Sequence, residues 1–254
     1  MPTKLAIEVH GDGDPVLMIH GLGGTSNVFS PQIPSLSRFF QCIRPDLPGS
    51  GRSPATGEAS IAAYADRMLK LMDERGLDRV HLVGHSLGTI VCQHMAAQSP
   101  SRVRSLALIG PLAAPPEAAR TAIRDRAAKA RAEGMVGIAD AIVQGGTSAE
   151  TKAARPEVAA LVREMLMRQD SEGYAQTCEA LAEAQPADLS QLACPALLIT
   201  GDEDMTAPPR AVRLLASKFQ NPDFRVLTRC GHWTTFERPQ EVTEALVNFL
   251  LKAE

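Results

Sequence analysis

The sequence predicts an α/β domain in which a mostly parallel central sheet carries helices on both faces and is interrupted by a helical insertion. Three observations predict this. Short apolar runs alternate with helix-period segments along both ends of the chain. The run over residues 103–109 is apolar on both of its faces, as a strand covered by helices on each side must be. Between residues 113 and 186 the strand signal vanishes and Ala, Arg and Glu dominate. Residues 1–112 and 187–254 are therefore expected to form the core, and residues 113–186 a helical cap.

The elements follow in order. Residues 5–10 alternate apolar and polar, as an extended segment does, and residues 10–15 form a Gly/Asp turn. A short strand is expected over 16–20 and another over 40–44, stopped by the Pro- and Gly-rich stretch 45–51. Ser60 is a helix cap, with Ile61, Tyr64, Met68, Leu71 and Met72 on one face and Gly76 at the end. Residues 79–83 read as a strand, 84–88 as a tight turn, 89–98 as a helix and 103–109 as a strand. The insertion reads as several helices broken near Gly145-Gly146 and Pro156. The β/α alternation resumes with strands at 196–200 and 224–228 and helices at 208–219 and 239–251.

Composition excludes several classes. The chain has 254 residues, of which 44% are hydrophobic and 22% charged, ordinary values for a globular domain. The net charge of −3 offers no basic footprint, so neither nucleic acid nor a membrane surface is an expected partner. No apolar run approaches the ~20 residues of a membrane span. The five cysteines are an odd number without a C-x-x-C pair, so they read as reduced, mostly buried side chains and give no metal or redox motif. Residues 1–10 do not resemble a signal peptide, which makes the cytoplasm the expected compartment.

The chemistry is concentrated in Gly84-His85-Ser86-Leu87-Gly88, which fits G-x-S-x-G, the nucleophile elbow. Such a serine sits on a strained turn, and its flanking positions approach other chain segments too closely for side chains. The following helix aims its free N–H groups and the positive end of its dipole at the reaction centre. A glycine-serine turn without chemistry is the bland alternative, but an apolar strand before and a helix after argue against it.

A serine hydroxyl needs a base, and the base needs an orienting acid. Two histidines lie downstream of Ser86. His94 falls in the following helix, too far along to bend back, and reads as a helix-face residue. His232 lies in Cys230-Gly231-His232-Trp233 after the last strand, where a base belongs. The acid is expected in Gly201-Asp202-Glu203-Asp204; Asp204 is preferred, with Asp202 as the fallback. The glycines of His20-Gly21-Leu22-Gly23-Gly24 allow backbone N–H groups to face a reacting oxygen. The expected oxyanion donors are the amides of Leu22 and Leu87. The same loop lacks a P-loop lysine and the third glycine of a dinucleotide fingerprint.

His20-Gly21, Pro45 through Ser53, Gly84 through Gly88, Gly201 through Asp204 and Gly231-His232 together resemble the α/β-hydrolase superfamily over essentially the whole chain. That resemblance implies the α/β-hydrolase fold, favours Asp204 as the acid, and makes 46–53 a structural turn. Within the insertion and just beyond it, Lys129 through Met135, Ile138-Ala139-Asp140, Asp170 through Tyr174, Cys178-Glu179-Ala180 and Asp188-Leu189 ahead of Cys194-Pro195 are similar to the cap of 3-oxoadipate enol-lactonases. Gly231-His232-Trp233 looks more like the meta-cleavage-product hydrolases, which break a C–C bond beside a ketone.

The expected activity is hydrolysis of a small carboxylic ester or lactone through an acyl-enzyme on Ser86. C–C bond hydrolysis is the alternative, and a non-catalytic ligand receptor a more distant one. No metal or organic cofactor is expected; the partner is a small-molecule ester or lactone. Trp233, Met135 and Met165 are candidate pocket residues, although core packing is the simpler reading of each methionine. A substrate carboxylate would call for one inward arginine, and the sequence does not select it from those of the cap.

Overall fold

The computed structural model describes residues 4–55, 57 and 59–253. Seven strands form one sheet: β1 (Ile7–His10), β2 (Asp14–Ile19), β3 (Phe40–Pro45), β4 (Val80–His85), β5 (Val103–Ile109), β6 (Ala196–Gly201) and β7 (Asp223–Leu227). Their order is β1-β3-β2-β4-β5-β6-β7. Only β1 runs antiparallel, with Ile7 opposite Pro45; the other pairings are parallel.

Burial follows position in the sheet. Every residue of β4 and β6 is buried, whereas β1 at one edge and β7 at the other are partly open. The central strands read as continuous apolar runs because helices cover both of their faces. Each large apolar side chain buried there contributes about 1.5–3 kcal/mol, which makes the carboxyl ends of β2, β4 and β6 a stiff floor.

Helices α1 (Ile33–Leu36), α2 (Ile61–Glu74) and α3 (Leu87–Gln98) belong to the first half of the core. Ser60 caps α2 by accepting from the Ala63 amide at 3.0 Å, and Gly76 takes φ +65 just past the end. The side chains expected on the inner face of α2, Ile61, Tyr64, Met68, Leu71 and Met72, are all buried.

Between β5 and β6 lie α4 (Glu117–Glu133), α5 (Val136–Gly146), α6 (Ala149–Ala154), α7 (Pro156–Met167) and α8 (Ser171–Ala182). Helix α4 packs along α8, and α5 along α7. Arg131 pairs with Glu172 and Glu179, and Arg124 with Glu183, along the exposed side of the α4–α8 seam. Exposed pairs of this kind contribute about 0–1 kcal/mol each, so the seam is held by its buried apolar face. The chain closes with α9 (Pro209–Ala216), α10 (Thr234–Glu237) and α11 (Pro239–Lys252).

Three details differ from the sequence pattern. Strand β2 starts at Asp14, inside the expected turn, and tolerates Pro15 because β4 pairs with it only from Val16 onward. Residues 26–36 form a 3₁₀ turn running into α1, a stretch whose prolines mask any helical period. The break expected at Gly145-Gly146 comes one step later, since α5 continues through both glycines. Residues 1–3, at the head of the stretch 1–10 that does not resemble a signal peptide, lie outside the described residues. Among the described residues, no helix is long and apolar enough to cross a membrane.

Candidate active site

Strand β4 ends at His85, and α3 begins at Leu87. Ser86 alone makes the turn, with φ 53 and ψ −121. A non-glycine residue there costs about 1–3 kcal/mol and persists only where its surroundings over-determine it. Here the Ser86 amide donates to Ile109 at 2.9 Å, and its carbonyl accepts from the Thr89 amide at 2.8 Å and the Thr89 hydroxyl at 2.6 Å. The flanking glycines are sterically required. A Cβ on Gly84 would lie 2.7 Å from the Gly88 carbonyl, and one on Gly88 would lie 2.1 Å from the Ile19 carbonyl.

The side chains predicted to act together meet. His232 Nε2 is 2.8 Å from Ser86 Oγ. His232 Nδ1 is 2.8 Å from Asp204 Oδ2. Asp204 is buried, and its second oxygen accepts from the amides of Thr206 and Ala207, each at 2.8 Å. Asp204 is an acceptor only, so Nδ1 of His232 carries the proton and Nε2 turns a lone pair toward the serine hydroxyl. Burial disfavours the Asp204 carboxylate, but His232 and the amide donors outweigh it and hold the carboxyl below its ordinary value. Burial likewise disfavours a charged His232, yet Asp204 raises it above the ordinary imidazole value.

Asp202 does not reach the imidazole. Its carboxylate accepts from the Cys230 amide at 3.1 Å and so fixes the approach to His232. Glu203 accepts from the Ala149 amide at 2.8 Å. His94 is turned away, with Nε2 2.9 Å from the Gln185 carbonyl.

The glycine loop after β2 closes against the elbow: a Cβ on Gly21 would lie 2.7 Å from Ser86 Cβ. His20 locks this loop. Its Nε2 accepts from the Leu47 amide at 2.9 Å, which leaves Nδ1 to donate to the Gly21 carbonyl at 2.8 Å. Burial lowers its pKa and keeps the ring neutral for these roles. Among the described residues neither the Leu22 nor the Leu87 amide donates to any acceptor. Leu87 is the first residue of α3, where no intrahelical acceptor exists.

A cavity of about 660 Å³ lies between the carboxyl edge of the sheet and the cap, and Leu22, Ser86, His232 and Trp233 line it. Helix α4 contributes Ala119, Ala122, Ile123 and Arg126, a stripe of helical period. Arg126 forms no salt bridge among the described residues, and its guanidinium lies beside the buried Tyr174 hydroxyl. Lys129, farther along, is 3.7 Å from Glu133. Met135 and Met165 are buried but do not line this cavity; both pack in the hydrophobic core, so the pocket expectation is corrected for them.

Two polar residues that the sequence pattern did not single out support the site. Gln169, between α7 and α8, donates to the Gly23 carbonyl at 3.2 Å and accepts from the Gly51 amide at 3.1 Å, tying the cap to the glycine loop. His85 Nε2 donates to the His232 carbonyl at 2.9 Å. Burial first, and then the neighbouring His232, push the His85 pKa down to about 3, so the ring stays a neutral donor. Neither role leaves a local signal in the sequence. Among the described residues no group of His, Cys, Asp and Glu side chains is arranged to hold a metal ion.

A parallel sheet with a serine on a strained strand–helix turn, facing a cavity beneath a helical cap, defines a hydrolase-type α/β protein. The chain belongs to the alpha/beta hydrolase fold family, whose sequence profile matches residues 14–239. It is similar to an (E)-2-((N-methylformamido)methylene)succinate hydrolase of Acinetobacter baylyi, 26% identical over 94% of this chain and 91% of that protein. Among solved structures it is similar to a thermophilic esterase from Thermogutta terrifontis with malate bound. That likeness has a TM-score of 0.92 and 31% identity, over 98% of this chain and 93% of that one. It is also similar to the enol-lactonase of Burkholderia xenovorans LB400, with a TM-score of 0.89 and 28% identity over 98% and 97% of the two chains.

Proposed function

We propose that the protein is a serine hydrolase that cleaves a small carboxylic ester or lactone through an acyl-enzyme on Ser86. The observation that carries this reading is the unbroken hydrogen-bonded path from Ser86 Oγ through His232 to Asp204, at 2.8 Å in each step. Ser86 attacks the substrate carbonyl while His232 Nε2 takes its proton. Asp204 orients the imidazole and stabilises the imidazolium. The unengaged amides of Leu22 and Leu87 donate to the oxyanion, a contribution of about 2.7–4 kcal/mol for each such donor. His232 then protonates the leaving oxygen. In the second half His232 deprotonates a water that adds to the acyl carbonyl, then returns that proton to Ser86 Oγ as the acid departs. No metal or organic cofactor takes part in this sequence.

The cavity supports a substrate that is largely apolar and bears one carboxylate. Its wall on α4 joins the apolar Ala119, Ala122 and Ile123 to Asp125, Arg126 and Lys129, and Arg126 forms no salt bridge among the described residues. A planar guanidinium suits bidentate binding of a carboxylate. The succinate in the name of the Acinetobacter relative's substrate and the malate in the Thermogutta esterase both carry carboxylate, which supports an anionic substrate.

C–C bond hydrolysis is the second reading, favoured by one observation: Trp233, next to the base, lines the cavity and packs 5.4 Å from the His85 ring. Steady-state assays with a short p-nitrophenyl ester, an enol-lactone and a vinylogous keto-acid separate the two. The ester and lactone are expected to turn over and the keto-acid to remain intact; keto-acid cleavage with an inert lactone reverses the assignment. Ser86→Ala is expected to abolish turnover, and an undiminished mutant removes Ser86 from the mechanism.

A further inference from the structure

We propose that Glu237 is a positioning residue of this site: a buried carboxylate that fastens the His232 loop to the cap and adds a second negative charge behind the imidazole. The inference rests on the serine-hydrolase reading above. Glu237 lies on α10 and is fully buried. Its Oε1 accepts from the Trp233 amide at 3.2 Å. Its Oε2 accepts from the Ser148 amide at 2.8 Å and from the Thr151 hydroxyl at 2.8 Å, both at the start of α6. One carboxylate therefore bridges the residue after the base and the first turn of a cap helix.

The neighbouring cations do not neutralise it. Arg155 and Arg238 donate to the backbone carbonyl of Glu237 and pair with Glu157 and Glu150 instead. A buried carboxylate held by neutral donors alone is costly compared with an apolar side chain of similar volume. That cost is informative because the charge sits beside the base. A Cβ on Gly231 would lie 2.9 Å from Glu237 Oε1. The His232 amide donates to the cap carbonyl of Gly146 at 2.8 Å. The loop is thus pinned to the cap at His232 itself and, through Glu237, at the residue that follows. If the cap lifted away, the bonds from Ser148, Thr151 and Gly146 would break together and the imidazole would lose its frame.

The groups that face His232 are few. Asp204 bonds it from the loop after β6, Ser86 from the elbow and neutral His85 from β4, while Glu237 on α10 is tied to the amide of the next residue, Trp233. The cap supplies the Gly146 carbonyl, and Asp125, Arg126 and Lys129 share the cavity. After Asp204, Glu237 is the group that raises His232, so the two carboxylates act in the same direction.

The test is the pH profile of kcat and kcat/KM on p-nitrophenyl acetate for the full chain and its Glu237→Gln and Thr151→Val variants. Glu237→Gln keeps an acceptor and loses the charge. Its kcat is expected to fall on the order of tenfold with little change in KM. Its acid limb should move down by about half a pH unit. Thr151→Val removes one tether and keeps the charge, so its acid limb should stay where the wild type's is. A Glu237→Gln enzyme with wild-type kcat overturns the proposal. So does one whose kcat falls while the acid limb stays fixed, because that reduces Glu237 to a structural strut. Should Glu237→Gln fail to fold, Glu237→Asp retains the charge but falls short of α6. Its kcat is expected to drop at an unmoved acid limb, and an unchanged kcat overturns the proposal. A wild type that neither turns over nor reacts with a fluorophosphonate defeats the serine reading, and this inference with it. An active wild type with an unaffected Glu237→Gln defeats this inference alone.

Discussion

His232 Nε2 stands 2.8 Å from Ser86 Oγ although 146 residues separate them in the chain. Both ends of that contact are fixed by backbone. Ser86 is held on its strained turn by bonds to Ile109 and Thr89, and His232 by bonds to Gly146 and His85. An alignment held in this way by its surroundings is what a preorganised site requires.

Asp204 and Asp202 should separate sharply under substitution. Asp204→Asn can offer an N–H to Nδ1 and trap the wrong tautomer, so kcat is expected to fall about 10⁴-fold with a folded protein. Asp202→Asn disturbs only the bond to the Cys230 amide, and its loss should be smaller by orders of magnitude. Equal losses in steady-state assays would contradict the assignment.

The raised pKa of His232 fixes the sign of the pH dependence. The base must be neutral, and its neutral fraction falls as pH drops through the raised value. Activity should therefore be lost on the acid side at a midpoint above 6.5. Asp204, held below its ordinary value, stays ionised across that range. A kcat/KM profile with its acid midpoint below 6.5 would count against the imidazole–carboxylate pair.

Arg126→Ala tests the carboxylate end of the cavity. A charged hydrogen-bonded contact contributes about 1.5–3 kcal/mol, so kcat/KM for a mono-p-nitrophenyl ester of succinate should fall roughly 10–100-fold. Turnover of p-nitrophenyl acetate should be little changed. Equal effects on both esters would remove Arg126 from substrate recognition.

The elbow predicts a stability effect as well. Gly88→Ala drives a Cβ to within 2.1 Å of the Ile19 carbonyl, a backbone atom that cannot swing aside. A loss of about 3 kcal/mol is expected in denaturant unfolding. Gly57→Ala, where an added Cβ meets nothing within 4 Å among the described residues, is the matched control.

What the chain discloses depends on how local the physics is. The apolar strands and the Gly84–Gly88 spacing impose steric demands within a few residues, so the sheet and Ser86 are legible from them. His232 is legible because His94 is sterically excluded. Choosing Asp204 over Asp202 takes the path of the backbone after Gly201, which turns Asp202 toward Cys230. The faces of the cap helices are harder. Met135 and Met165 turn into the core while Arg126, one of several cap arginines, turns to the cavity, because small differences in helix rotation decide it. Glu237 and Gln169 act on partners distant in the chain, and no local pattern announces such contacts.

The most direct measurement of the central claim is covalent labelling with a fluorophosphonate, located by peptide mass spectrometry. The wild type should acquire one adduct on Ser86, with a rate that rises with pH as His232 loses its proton, and Ser86→Ala and His232→Ala should acquire none. A wild-type protein that stays unmodified, or an adduct on another residue, would contradict the account.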